Sequence, residues 1–398
     1  RYDYVDNHYY FDHPQFPVKA WTLPARLENV SSLKSAAADL TWMFPTRIYG
    51  KPLAVTEFDY AKPNFFRAEG GVLPGAYAGL QDWAGLVQFA YSHGSYNIRT
   101  DQATGGPFDL ASDVVKILSH RIGVKLFLGR EIKPAPVALA AAFSCPEKMD
   151  FSMVPSRDLR NLGLVARLGT AILPNGTASR EKLPCKLGAL LDTGFNFPNE
   201  TWDVPVVEAK TYGSDPFREL MRKGVLPRDS RDAGGKIFRS AGGQLELDTV
   251  RQTFRAKAPG VEVLILPAKL SGSAEVLTVR NHVGRGVFSL QSVDGRGLRE
   301  SERMLFLHLT DSQATLLKFD NPLIQQYSSW GKPPHLAARG EAEITLALPD
   351  GRYRLYSCDT GGKRLAEVPL KYSNGNVSFE AKVFRPEGCV FVYELVRE

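Results

Sequence analysis

Cysteine is scarce in this chain: four residues in 398, at Cys145, Cys185, Cys358 and Cys389. None falls in a Cys-x-x-Cys pair and none accompanies paired histidines, which argues against a structural zinc site. Cys358 and Cys389 lie in strand-like segments, where they can be buried thiols or a disulfide. Long apolar runs are missing too. The longest stretch, 135–143, is about half of the roughly eighteen residues a membrane span requires, so no membrane span is expected. There is no run of Lys or Arg, and the formal charge of +6 is small for this length, so no nucleic-acid partner is expected. No G-x-S-x-G elbow occurs, which counts against a serine hydrolase of the α/β type. Neither a repeat of fixed period nor a low-complexity linker is present. Four Asn-X-Ser/Thr sequons, at Asn29, Asn175, Asn199 and Asn376, are close to chance in a chain of this size.

What is present is a composition ordinary for a soluble globular protein, 43% hydrophobic and 23% charged, with enough chain for two or three domains. Residues 1–130 alternate short apolar runs with helical patterns. Strands are expected at Tyr2–Tyr10, Pro52–Phe58 and Gly85–Tyr91. Helices are expected at Leu27–Phe44, Gly71–Trp83 and Asp113–Arg121, the last with Asp113 near its N-terminus, where the helix dipole favours an anion. Strand and helix in alternation predict βα units and a parallel sheet. Residues 131–235 read as a mixed connecting region, with a strand near 136–143 and a short helix in the 208–222 segment. Residues 236–398 read as all-β. Their segments alternate on a two-residue period between Gly- and Asp-containing turns, the pattern of a β-sandwich. Asp350-Gly351, between two alternating runs, predicts a tight hairpin.

The stretch LAVTEFDY (53–60) poses the sharpest question. A short apolar run ends in Thr56 and then Glu57, although glutamate is poor strand material and costly to bury unpaired. One reading is a solvated strand end. The other is a catalytic carboxylate at the C-terminal mouth of a parallel barrel strand. The neighbouring strands bear on the choice, because each delivers polar and aromatic residues at its end: Asp6-Asn7-His8-Tyr9-Tyr10, then Tyr91-Ser92-His93. A polar plug closing the barrel top would also use His8, Tyr10 and His93. A metal site built from Asp6, His8, Asp12 and His13 is disfavoured, because alternate strand residues face opposite ways. Trp83, which precedes its strand, is read as structural.

The segments VDNHYYFDHP, PLAVTEFDY and LQDWAGLVQFAYSH resemble the last three βα units of the clan A retaining glycoside hydrolases, the cellulase-like (β/α)₈ group. GQLELDTVRQTFRAKAP and ESERMLFLHLT resemble, more loosely, the β-domain that follows the barrel in some bacterial polysaccharide-degrading members. In that group the sixth strand ends in His-x-Tyr, matched by His8 and Tyr10, and the seventh ends in the nucleophile, matched by Glu57. The acid/base Glu follows an Asn on the fourth strand. The one Asn-Glu pair in this chain, Asn199-Glu200, comes too late in the order for that role.

The resemblance implies the C-terminal part of a TIM barrel in residues 1–130 (strands six to eight), a mixed connector in 131–235 and an antiparallel β-sandwich in 236–398. It implies hydrolysis of β-glycosidic bonds with retention, a carbohydrate substrate and no cofactor or metal. Glu57 would be the nucleophile, with Tyr10 and His8 beside it, and Asn7, Asp12, His13, Tyr91 and His93 would bind sugar. The family points to a secreted or periplasmic setting. Because the chain opens at Arg1 directly in strand-like sequence, it is expected to be a portion of a longer parent that carries the acid/base, and to be inactive alone. The rival expectation is a non-catalytic carbohydrate-binding or structural protein.

Overall fold

A computed structural model describes residues 3–100, 104–143, 155–172, 186–193, 204–209 and 214–398. It contains two parallel sheets, and two larger antiparallel ones packed face to face.

The first parallel sheet holds β1 (Val5–Phe11), β2 (Leu53–Tyr60) and β3 (Gly85–Gln88), side by side in chain order. Helix α1 (Glu69–Gln81) follows β2 and helix α2 (Val114–Phe127) follows β3. The sheet is a three-stranded α/β layer; it does not close into a barrel among the described residues. Asp113 caps α2, its side chain accepting from the Lys116 N–H.

Glycines set the distance between the two helices. A Cβ on Gly71 of α1 would lie 2.2 Å from the Ser119 backbone of α2, and one on Gly75 would lie 2.6 Å from the Gly123 Cα. Removing the side chains lets the two backbones touch; the other faces of α1 meet Tyr60, Phe44 and Phe254, and every residue of the helix is buried. Trp83 is buried against Phe44.

The helix expected over Leu27–Phe44 is broken. Short turns occupy Ser32–Ser35, Ala38–Thr41 and Phe44–Thr46, with Ala36 and Ala37 in the left-handed region at φ 56° and 51°. Tertiary hydrogen bonds override the Leu/Ala propensity here. The Ser31 and Ser32 hydroxyls and the Ser32 N–H all donate to the buried Glu69 carboxylate at 2.7–3.0 Å, which a continuous helix could not allow.

The described residues of the connecting region carry more regular structure than the sequence suggested. Strands β4 (Ala138–Phe143), β5 (Arg167–Ile172), β6 (Ala189–Asp192) and β7 (Val206–Glu208) form a second parallel sheet in the order β5-β4-β6-β7. Helix α3 (Pro216–Arg222) follows, started by Asp215, whose side chain accepts from the Arg218 N–H. The central strand ALAAAF is built mostly of alanine; small residues buried on both faces give little alternation to read.

Beyond Lys236 there is no helix. A nine-stranded antiparallel sheet packs against a five-stranded one centred on Leu277–Val283, Glu341–Leu346 and Asn376–Lys382. The middle of the nine-stranded sheet is covered on both faces. Along Val261–Leu266, Val263 and Ile265 join the core shared with the α/β layers, while Leu264 and Leu266 join the core between the two antiparallel sheets. This explains why VEVLIL is continuously apolar.

Asp350-Gly351 does not close a hairpin. Glu341–Leu346 lies in the five-stranded sheet and Tyr353–Cys358 in the nine-stranded one, so the connection passes from one sheet to the other. Leu346, Leu348, Tyr353 and Leu355 all enter the core between the sheets, and burial of both arms against different layers outweighs local turn preference. Cys358 is buried and Cys389 exposed, and both are free thiols. Cys145, Cys185 and the Asn199-Glu200 pair lie outside the described residues.

Two ionic contacts join the α/β layer to the antiparallel sheets. Buried Arg67 pairs with Asp113 at 2.5 Å and also with Asp311, and donates to the Ser312 carbonyl. Buried Glu69 accepts from Arg285 at 2.8 Å. A hairpin of Ser312–Phe319 and Gln326–Ala337 reaches back to pair with Ala25–Arg26, in the loop after β1.

Candidate functional site

The side chains of interest sit on β1 and β2, and a register change brings them together. The strands pair in parallel as Asn7 with Val55 and then His8 with Glu57, leaving Thr56 as an extra residue in β2. A bulge of this kind locally breaks the alternation of side chains. Asp6, His8 and Tyr10, spaced by two, share one face of β1. Both Thr56 and Glu57 meet them on that face. The Thr56 hydroxyl donates to Asp6 Oδ1 at 2.7 Å, and Tyr10 Oη donates to Glu57 Oε2 at 2.6 Å.

His8 lies between these pairs. Its Nε2 is 3.0 Å from Thr56 Oγ1, and its Nδ1 is 3.4 Å from Glu57 Oε2. Glu57 is about one-third exposed and His8 nearly half, so solvent reaches the cluster. Burial, and then the hydrogen bond to Glu57, push the Tyr10 phenol well above its usual range, so it remains a proton donor at neutral pH. The hydroxyl of Thr56 holds the Asp6 carboxyl below its ordinary value.

Farther along β2, Asp59 is fully buried and forms an ion pair with Lys116 of α2. Burial pushes its carboxyl up, opposed by Lys116 and by the Gln88 side chain. This pair anchors the C-terminal end of β2 to α2.

An aromatic wall flanks Tyr10. Its ring lies 4.8 Å from Phe108, 5.8 Å from His13 and 6.1 Å from Phe89. His13 continues to the exposed ring of Trp21 at 5.7 Å, and Phe89 to His93 at 5.2 Å. His93 is held by a buried carboxylate. Asp109 accepts from its backbone N–H and faces its Nδ1 at 2.9 Å, and it also accepts from Asn97 and from the Gly106 N–H. Burial would raise the Asp109 carboxyl, but these donors hold it below its ordinary value. Tyr91 is exposed.

Two of the sequence candidates stand apart. Asn7 shares the opposite face of β1 with Tyr9 and Phe11, which pack on Phe58 and Tyr60 in the core, so it is directed away from Glu57. Asp12 latches the loop instead. Its two oxygens accept from the Glu28 and Asn29 N–H groups and from Asn64 Nδ2, at 2.6–2.9 Å. Thr56, Trp21, Phe108 and Asp109 were not singled out from sequence. Only Thr56 had a local signal, a hydroxyl next to a carboxylate in a strand, and the bulge that turns it inward is invisible before the pairing is known.

No protein-family model and no curated protein matches the chain. Among solved structures it is similar to a rhamnosidase from Novosphingobium sp. PP1Y, at 10% identity and a TM-score of 0.25. The match covers 99% of this chain and 34% of that one, so the chain spans about a third of that structure's length.

Proposed function

We propose that the chain is the C-terminal portion of a retaining glycoside hydrolase of the clan A, cellulase-like type, acting on β-glycosidic bonds, with β1–β3 as barrel strands six to eight. The observation that carries this reading is the 2.6 Å hydrogen bond from Tyr10 to Glu57 across adjacent parallel strands, although β2 runs on for three residues past Glu57 and does not end there as the sequence suggested. A retaining mechanism needs one ionised carboxylate aimed at the anomeric carbon. Tyr10 engages Oε2, leaving Oε1 to attack. The C1–O bond to the leaving group breaks as the C1–Oε1 ester forms, and water then hydrolyses the ester to regenerate Glu57. His13, Tyr91 and His93 line the approach as sugar contacts, with aromatic faces suited to the apolar face of a pyranose.

The acid/base carboxyl belongs, in this reading, to an earlier strand of the parent. Its absence removes general acid assistance, typically worth about 10²–10⁴-fold, so this chain alone leaves ordinary glycosides intact. A leaving group that needs no protonation separates nucleophile from acid. The test is therefore incubation with a panel of dinitrophenyl 2-deoxy-2-fluoro-β-glycosides, followed by intact-mass analysis. The expected result is the mass gain of one fluoroglycosyl group, mapped to Glu57 and abolished by Glu57→Gln. No adduct with any sugar, or an adduct that survives the substitution, removes Glu57 as nucleophile. Saturable glycan binding without an adduct would favour the non-catalytic carbohydrate-binding reading.

A further inference from the structure

His8 presents a chemical question that its contacts answer. An imidazole holds its proton on either nitrogen, and the choice follows from what the other groups can donate or accept. The Thr56 hydroxyl has one proton, and it goes to the Asp6 carboxylate 2.7 Å away. Towards His8 Nε2, 3.0 Å distant, Thr56 therefore offers only a lone pair. The next polar atom near Nε2 is Asp6 Oδ2 at 3.6 Å, also an acceptor. The proton of neutral His8 must then sit on Nε2, and its bare Nδ1 faces Glu57 Oε2 at 3.4 Å.

We propose that Asp6 and Thr56 are positioning residues that hold neutral His8 in its Nε2-protonated form, so that His8 forms an ion pair with the Glu57 carboxylate only as the imidazolium. The titratable groups facing the ring are Asp6 and Tyr10 from β1 and Glu57 from β2. When His8 takes up a proton, it does so at Nδ1, against the oxygen that already accepts from Tyr10. Glu57 Oε2 then faces the imidazolium charge as well as the Tyr10 hydroxyl. When the proton leaves, only Tyr10 remains. The Asp6–Thr56–His8 chain thus makes the ion pair on Glu57 conditional on a proton at Nδ1 while leaving the Tyr10 hydrogen bond in place. The bulge at Thr56 is the structural device, because it alone turns both Thr56 and Glu57 towards the ring.

The value of this chain for catalysis rests on the glycosidase reading, but the tautomer does not, and the test reads the tautomer. Histidine-selective ¹⁵N labelling of the full chain and long-range ¹H–¹⁵N correlation at a pH where His8 is neutral distinguish the two nitrogens, with His8→Gln identifying the resonance. The expected result is a pyrrole-like Nε2 and a pyridine-like Nδ1. Thr56→Ser, which keeps the hydroxyl, should preserve that pattern. Thr56→Val should shift both nitrogens towards the averaged values of a tautomer mixture. Asp6→Asn, whose amide can donate to Thr56 and free the hydroxyl proton for Nε2, should do the same and serves if Thr56→Val does not fold. A pyrrole-like Nδ1 in the unaltered chain overturns the proposal, and so does a tautomer that neither Thr56→Val nor Asp6→Asn disturbs. Loss of the Glu57 adduct described above would remove the glycosidase reading and leave the tautomer result standing.

Discussion

Replacing Arg67 with methionine is expected to be among the most destabilising single changes in the α/β layer. The Arg67 guanidinium is 1% exposed and faces two carboxylates, Asp113 at the start of α2 and Asp311 at the edge of the antiparallel sheets, with the Ser312 and Asn64 carbonyls completing its contacts. Asp113 is itself 2% exposed. Methionine fills most of the volume but leaves both carboxylates without their cation. Removing one partner of a buried pair typically costs about 3–5 kcal/mol, because the remaining charge stays desolvated. Two orphaned carboxylates place Arg67→Met at the upper end of that range. Their protonation limits the loss, since burial already pushes the Asp311 carboxyl up. Urea unfolding at pH 7 measures the cost. Adding Asp113→Asn to Arg67→Met should recover part of it, because an amide carries no charge to strand. If Arg67→Met unfolds within about 0.5 kcal/mol of the unaltered chain, the ordinary range for a surface change, the ion pairs do not hold the layers together and the reasoning fails.

Further expectations test other parts of the structure. A Cβ on Gly123 would meet the Gly71 carbonyl oxygen at 2.3 Å, so Gly123→Ala should cost about 1–3 kcal/mol by forcing α1 and α2 apart; an unchanged urea midpoint would contradict the close helix contact. Asp113 is buried, but Arg67 and Lys62 outweigh that burial and hold its carboxyl at about 2, below the ordinary range of an aspartate. Its contribution, roughly 2 kcal/mol, is therefore fully present above pH ~4 and lost as pH falls through about 2. Acid titrations of stability should show this limb, and Asp113→Asn should flatten it. Lys62 is the opposite case. Burial lowers it to about 8, so the unfolded chain binds more protons above that pH. Its contribution to stability should rise between about pH 8 and 10.5, and Lys62→Met should remove that rise.

Local pattern was enough to read β1, β2 and α2 and the absence of helix beyond Lys236, because these depend on periods of two and 3.6 and on a capping aspartate. The apolar run before Glu57 and the spacing of Asp6, His8 and Tyr10 were likewise legible, since alternation alone puts those three on one face. Other features required the packed chain. Ser31 and Ser32 give up a helix to satisfy Glu69, a partner almost forty residues away that no local propensity reveals. A strand at β4 was legible, but its alanines show no alternation, and nothing local announced the partners β5, β6 and β7 that make it part of a four-stranded parallel sheet. Asp350-Gly351 joins two sheets although its flanks read as a hairpin, since turn chemistry specifies a reversal of the chain but not which neighbour each arm will pair with. The same limit applies at the candidate site. Thr56 faces His8 only because β2 carries one residue more than β1 between paired positions, and the register of two strands belongs to both strands together.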